Sequence, residues 1–389
     1  MSRTSAATDA PPPRHPPVDP NSAAAASAMP CACRRIELNR RTPVRAVLFT
    51  AFGEVPELVH VPEPACPPRG AVIRVRATGL CRSDWHAWMG HDDTVALPHV
   101  PGHEFAGEVA ALGSEIVTGD WNVGDRVTAP FICACGRCAE CRSGNEQVCD
   151  DQSQPGFTHW GSFAEYVVVD EAELNLIRLP ASLDFVEAAS LGCRFATAYR
   201  AIVSRSRLAP GEQVAVHGCG GVGLSAIMIA VAAGVKVYGV DVSDAALVAA
   251  EQLGAVPVRG GEGAAERIVE ASGGGVDVSV DAFGSTETSF ASVRSLKKRG
   301  RHVQVGLMLG DSALSAMPMD AVIAGELEIL GSHGMAAHEY PSMLGAVASG
   351  DFRPIELVGR RIGLDEVPMA LAAMGTAGAS GSGMTVVEL

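Results

Sequence analysis

The stretch "QVAVHGCGGVGLSAIMIAVAAGVKVYGVD", Gln213–Asp241, decides how the chain is built. "QVAVHG" is short, apolar and rich in valine, as a buried strand is. "GLSAIMIAVAAG" reads as a helix that stops at Gly234, and "VKVYGVD" reads as a second strand ending at Asp241. Between the first strand and the helix stand Gly218, Gly220 and Gly223 in G-x-G-x-x-G spacing, with Gly221 and Val222 completing the loop. A chain with 43 glycines makes such a triplet by chance, so the strand before it and the helix after it carry the argument. Glycines let the backbone turn tightly and approach a pyrophosphate, and the helix N-terminus offers free N–H groups. Asp241 follows Gly223 by eighteen residues, where a carboxylate can accept from the hydroxyls of an adenosine ribose. A 2′-phosphate would meet that carboxylate as a like charge, so the expected cofactor is NAD rather than NADP. A purely structural glycine turn is the alternative.

The same rhythm continues outward. "SDAALVAAEQLG" is a helix with a start signal at Ser243 and a stop at Gly254, and "VDVSVDAFG", "RHVQVGL" and "LEILGS" supply further strands. Residues 194–330 therefore read as an α/β doubly wound parallel sheet. Residues 44–193 read instead as short strands and turns, as in "AVIRVRATGL", "GDRVTAP" and "GSFAEYVVVD". Residues 331–389 are mixed, and "KKRG" at 297–300 reads as a solvated helix C-terminal cap. Residues 1–43 contain "PPPRHPP" and "SAAAASA", with six arginines against three acids and no apolar period. The expectation is a disordered tail, with a transit peptide or an over-long start before Met29 as alternatives. No internal repeat is visible.

Net charge is −14 over 389 residues, which disfavours a nucleic acid partner. The longest apolar run is too short to span a bilayer, so no membrane partner is expected. Eleven cysteines and no secretory signal favour reduced thiols and a cytoplasmic setting. Five of those cysteines fall in "CACGRCAECRSGNEQVC", Cys133–Cys149. Cys135, Cys138, Cys141 and Cys149 have the spacing to surround a tetrahedral ion, and four thiolates leave no open position. A closed, structural zinc site is the expectation, with disulfides or an iron centre as alternatives. Three other stretches, "GLCRSDWH", "PGHE" and "LGCRFATAY", contain Cys81, His103 and Cys193. Two thiolates and one imidazole make a three-ligand zinc site with water in the fourth position, the open arrangement of a catalytic metal. Each alone also reads blandly, the cysteines as small buried hydrophobes and the histidine as a turn residue.

With these motifs in this order, the sequence resembles the zinc-dependent alcohol dehydrogenases of the medium-chain dehydrogenase/reductase superfamily, over about residues 44–389. The resemblance implies a GroES-like, mostly-β catalytic domain at 44–193 carrying the structural zinc lobe. It implies a Rossmann NAD-binding domain at 194–330 and a C-terminal segment, 331–389, that completes the catalytic domain. It implies two zinc ions per chain, one held by Cys81, His103 and Cys193 and one by the four clustered cysteines. Glu104 is then a neighbour of the catalytic metal or a transient ligand to it, and Asp84 orients His103. Arg82 stands where the family places a cation for the pyrophosphate, and Thr197 stands beside the nicotinamide. Gly306 and Leu307 fall at cofactor positions, and Ser83, Phe131 and Leu307 line the substrate pocket. Ser83 takes the alcohol proton and passes it by the cofactor ribose to His86, whose ordinary pKa suits release near neutrality.

Cys193 in the third ligand position favours the alcohol dehydrogenase type, since polyol and threonine dehydrogenases commonly carry glutamate there. Zinc-free quinone reductases of this fold lack the ligand set. Arg194 and Ala198 depart from the usual pattern, where small residues are frequent. The expected reaction is hydride transfer between a primary or secondary alcohol and NAD, giving an aldehyde or ketone. Alternatives are a polyol, amino-alcohol or formaldehyde dehydrogenase, or a non-catalytic NAD-binding paralogue. Ser83 and His86 argue against the last, because a binder needs no proton relay. The expected partners are a small-molecule alcohol or aldehyde and further copies of the chain, as a dimer or tetramer.

Overall fold

Val214, Ala215 and Val216 are fully buried, as a strand covered on both faces must be. In the computed structural model, which describes residues 34–35, 43–117, 119–314, 316–375 and 383–389, this strand is the centre of a six-stranded parallel sheet. From one edge to the other the strands are Val256–Arg259, Lys236–Asp241, Gln213–His217, Val276–Asp281, Leu296–Gln304 and Glu328–Gly331. All adjacent pairs are parallel. The order reverses between Gln213–His217 and Val276–Asp281, and a doubly wound sheet binds its ligand outside the strand ends at such a point. The helix Gly221–Ala232 starts there and is apolar on nearly every face, with Leu224, Ala226, Ile227, Ile229 and Ala230 buried.

One strand lies outside the sequence expectations, and one local expectation is corrected. The edge strand Val256–Arg259 has no clear sequence signal, because Pro257 interrupts it and only Val258 is buried. An edge position is where a strand tolerates proline. "KKRG" is solvated as expected but caps no helix. The helix Thr286–Arg294 has already closed at Ser295, and Lys297–Gly300 lie in the strand Leu296–Gln304.

The other domain is built on two long antiparallel strands, Ala71–Leu80 and Glu104–Leu112. Arg126–Thr128 and Ile177–Arg178 extend the sheet beyond Glu104–Leu112. On the other side Met384–Glu388 pairs with Ala71–Leu80, setting Thr385 opposite Leu80, and Val358–Gly363 lies outside it. The C-terminal chain thus returns to the first sheet. The helix Tyr340–Ser349 instead packs its Tyr340, Met343 and Leu344 into the core of the dinucleotide domain, because its apolar face matches the helical chain at Ala196–Ile202. Residues 331–389 therefore serve both domains. A helical run from Phe185 to Arg205 connects the domains, with wide π-type turns at Leu191–Phe195 and Arg200–Arg205. The expected division between residues 193 and 194 falls inside this run, since "LGCRFATAYRAI" is apolar enough to stay helical. Most of the expected tail lies outside the described residues. Besides Pro43, the described part of it is Arg34–Arg35, a two-residue strand that pairs with the backbone of Leu112 and Ala111.

Candidate active site and metal centres

The strand Ala71–Leu80 ends at Cys81, which is extended and opens the helix Arg82–Trp88. One carboxylate organises this corner. Asp84 is fully buried, and it accepts from the backbone N–H of Cys81 at 2.8 Å, from that of Gly102 at 3.0 Å and from His103 Nδ1 at 2.8 Å. The first bond caps the helix, and the third fixes the tautomer of His103 so that Nε2 is free to act as a ligand. His103 Nε2 is buried and has no hydrogen-bond partner. Cys193 reaches the same place from the wide turn Leu191–Phe195, and such turns often mark functional sites. Gly192 allows the approach, since a Cβ there would meet Glu104 Cα at 2.8 Å. The ligand atoms of Cys81, His103, Glu104 and Cys193 all lie within 4.8 Å of one another. The hydrogen bond from Cys193 holds the Cys81 thiol well below its ordinary pKa against its burial. A thiolate, a second thiol and an unpartnered imidazole nitrogen at this separation fit zinc.

Glu104, expected either as a neighbour of the catalytic metal or as a transient ligand to it, lies within this group. Its carboxylate is gripped by Arg194, whose backbone N–H and Nε reach Oε1 at 2.9 and 3.0 Å while Nη2 reaches Oε2 at 2.5 Å. Burial pushes the Glu104 carboxyl upward, and the two-pronged guanidinium of Arg194 opposes that shift.

The second group is Cys135, Cys138, Cys141 and Cys149, also within 4.8 Å of one another. The sulfur separations are 3.4 Å for Cys138–Cys141, 3.8 Å for Cys138–Cys149 and 4.0 Å for Cys135–Cys141. A tetrahedral tetrathiolate with bonds of about 2.3 Å has edges of about 3.8 Å. A disulfide needs about 2.05 Å, and all four thiols are free. Backbone N–H groups of Cys135, Arg137, Cys141 and Asp151 donate to these sulfurs, which favours thiolates. Those of Cys141 and Asp150 draw Cys138 down to about 6. Cys133 is separate, packed in the sheet core with its thiol on the Pro130 carbonyl.

At the glycine loop, Gly218 has φ +90°, and a Cβ on Gly223 would fall 1.8 Å from the Gly218 carbonyl oxygen. Around Gly220 nothing lies within 4 Å of where a Cβ would stand, so the loop leaves an open cradle at the helix N-terminus. Asp241 accepts from Cys219 N at 2.7 Å and from Ser243 N at 2.8 Å, and its remaining lone pairs can serve a ribose. Gly306 packs on Phe283 and Gly284 beside the loop, and Leu307 is 48 % exposed at the same sheet end. Thr197 Oγ1 is buried without a partner on the helix Ala196–Tyr199. Val222 lies in the first turn of the helix Gly221–Ala232. These groups fit a dinucleotide. Arg82 donates to the Met374 carbonyl and stacks on Trp85 at 4.4 Å.

Comparison with known proteins gives the same assignment. Residues 67–181 match the family model of the alcohol dehydrogenase GroES-like domain, and residues 221–349 match that of zinc-binding dehydrogenases. An alcohol dehydrogenase from Rhizobium meliloti (strain 1021) is 34% identical over 315 residues, covering 75% of this chain and 90% of the relative. The chain belongs to the zinc-dependent alcohol dehydrogenase family. An NAD-dependent alcohol dehydrogenase from Sulfurisphaera tokodaii is 32% identical over 345 residues, covering 84% of this chain and 95% of the relative. The solved alcohol dehydrogenase of Thermus sp. ATN1 superposes with a TM-score of 0.80 at 28% identity, covering 88% of this chain and 99% of that one.

Around the site of this alcohol dehydrogenase family member, Ser83 Oγ lies 3.8 Å from Cys81 Sγ. Phe131 packs its ring 6.0 Å from His103. His86 is on the same helix, and its Nδ1 meets His91 Nδ1 at 3.0 Å. Burial first, then His91 and Arg82, lower His86 to about 4, which corrects the expectation of an ordinary pKa. Sequence reasoning missed three neighbours. Phe157 is 5.2 Å from His103, ring to ring, and His333 stands edge-on to Phe131 at 5.6 Å. His91 is the third. Phe157 and His333 come from irregular loops whose sequence has no period. The "GH" pair at Gly90–His91 offered only a spacing of five from His86.

Proposed function

We propose that the chain is an NAD-dependent, zinc-containing alcohol dehydrogenase that interconverts primary or secondary alcohols with aldehydes or ketones. The observation that carries this is the convergence of Cys81, His103 and Cys193, with His103 Nε2 unpartnered and Nδ1 tied to Asp84. When bound, zinc lowers the pKa of a substrate hydroxyl, and NAD takes hydride from the substrate carbon. Asp84 fixes the imidazole, and Ser83, beside Cys81, receives the hydroxyl proton at Oγ. His86, one turn along the helix, is the outward acceptor, and the exposed His91 at its Nδ1 leads to water. Phe131 and Phe157 exclude water from the reacting face. Asp241 selects NAD over NADP by its charge.

A homo-oligomer in the cytoplasm is part of the same reading. Among the described residues, the outer edge of Glu328–Gly331 is unpaired, with Ile323 and Ile329 exposed nearby, and Cys81, Cys133, Cys193, Cys219 and the four clustered cysteines are free thiols. No helix among the described residues is long and apolar enough to cross a membrane. The direct test is a panel of primary and secondary alcohols offered with NAD, read by NADH absorbance. The reading expects NADH with at least one of them. NADH binding with no turnover on any alcohol or aldehyde would point to the non-catalytic paralogue.

A further inference from the structure

Arg194 is only 7 % exposed, and it stands in an otherwise apolar turn. Its guanidinium and backbone N–H make three hydrogen bonds to the Glu104 carboxylate. Among the described residues that carboxylate accepts from Arg194 alone. Each partner is the chain neighbour of a zinc ligand: Glu104 follows His103, and Arg194 follows Cys193. The same arginine also reaches the cofactor loop. A Cβ on Gly221, the first residue of the helix at the glycine loop, would meet Arg194 Cδ at 2.6 Å, so the stem lies against that residue. The ion pair thus joins the metal corner in one domain to the pyrophosphate loop in the other.

We propose that Arg194 is a positioning residue that couples the catalytic zinc ligand set to the NAD-binding loop through Glu104, so that a change at Glu104 is felt in NAD affinity. A guanidinium held through both Nε and Nη2 by the two oxygens of one carboxylate has one orientation, and its stem then fixes how closely Gly221 can approach. Lysine keeps the charge without the fork and cannot hold both contacts. The inference rests on the zinc and NAD reading given above.

The test is NADH affinity by fluorescence titration of the zinc-loaded enzyme, with zinc content and Tm measured for each variant. Glu104→Gln removes the anion without touching the loop, and it should raise the NADH Kd about fivefold or more with zinc retained, the usual size of a coupling between sites. Arg194→Lys should do the same. Glu104→Gln combined with Arg194→Met should bind NADH no more weakly than Arg194→Met alone, because both act through one contact. If Arg194→Met fails to fold, Glu104→Gln and Arg194→Lys carry the test. A merely structural pair would lower Tm and leave the Kd of the folded protein unchanged. An unchanged Kd in Glu104→Gln or Arg194→Lys, or effects that multiply in the double variant, overturns the coupling. Wild-type protein that binds no NADH overturns the cofactor reading and the coupling together.

Discussion

At the scale of single residues, Asp84 does three jobs with two oxygens: it caps a helix, pins Gly102 and orients His103. Asp84→Asn keeps the shape but turns an amide N–H toward groups that themselves donate. Loss of such a partner to a ligating histidine typically costs ten- to a hundredfold in metal affinity. The expected outcome is selective loss of one zinc per chain on dialysis against a chelator, with the cysteine-cluster zinc retained. His86 gives a second prediction. Its pKa is lowered to about 4, so the neutral form, which can accept a proton, dominates at any pH above that. His86→Gln should slow alcohol oxidation by roughly tenfold to a hundredfold, with a ratio to wild type that is flat between about pH 5 and 7. The ratio should shrink at higher pH, where hydroxide takes the proton. A relay with an ordinary histidine would instead lose its advantage below about pH 6.5. Measuring kcat against pH, with a deuterated alcohol to confirm that hydride transfer limits the rate, separates the two.

At the scale of elements, the strand–loop–helix unit Gln213–Ala232 shapes the cofactor site, and the next strand delivers Asp241 beside it. Asp241→Gly should narrow the preference for NAD, measured as kcat/KM for NAD against NADP. A wild-type preference for NADP would show that the carboxylate does not act as argued. This unit was legible in the sequence because each step has a local cause: valines for a buried strand, glycines for the turn, Asp241 at the next strand end. The ligands Cys81, His103 and Cys193 were legible as residue types. What stayed hidden depends on contacts between distant segments. Pro257 masked an edge strand, and nothing local in "LGCRFATAY" announces a wide turn. Arg194 stood out as a charge among apolar residues, yet its partner lies ninety residues earlier in the chain. The lowered pKa of His86 comes first from its burial, with His91, which approaches from beyond the helix end, and Arg82 adding to it.

At the scale of the whole molecule, two metal groups divide the work. The four-cysteine lobe is closed by backbone N–H···S bonds and lies apart from the glycine loop, so Cys138→Ser should mainly lower Tm and make folding sensitive to chelators. Activity measured at low temperature on the folded protein should survive. The group at Cys81, His103 and Cys193 lies where chain from both domains meets, between the first sheet and the helical run that leads into the second. These three candidate ligands come from separated stretches, so a zinc held there would contribute chemistry more than local folding. The most direct test of this division is the zinc stoichiometry of purified Cys81→Ser beside wild type. The account predicts two zinc ions per chain in active wild-type protein and one in a folded Cys81→Ser that forms no NADH from alcohol. Two zinc ions retained in Cys81→Ser, or a fully active wild type holding only one, would contradict it.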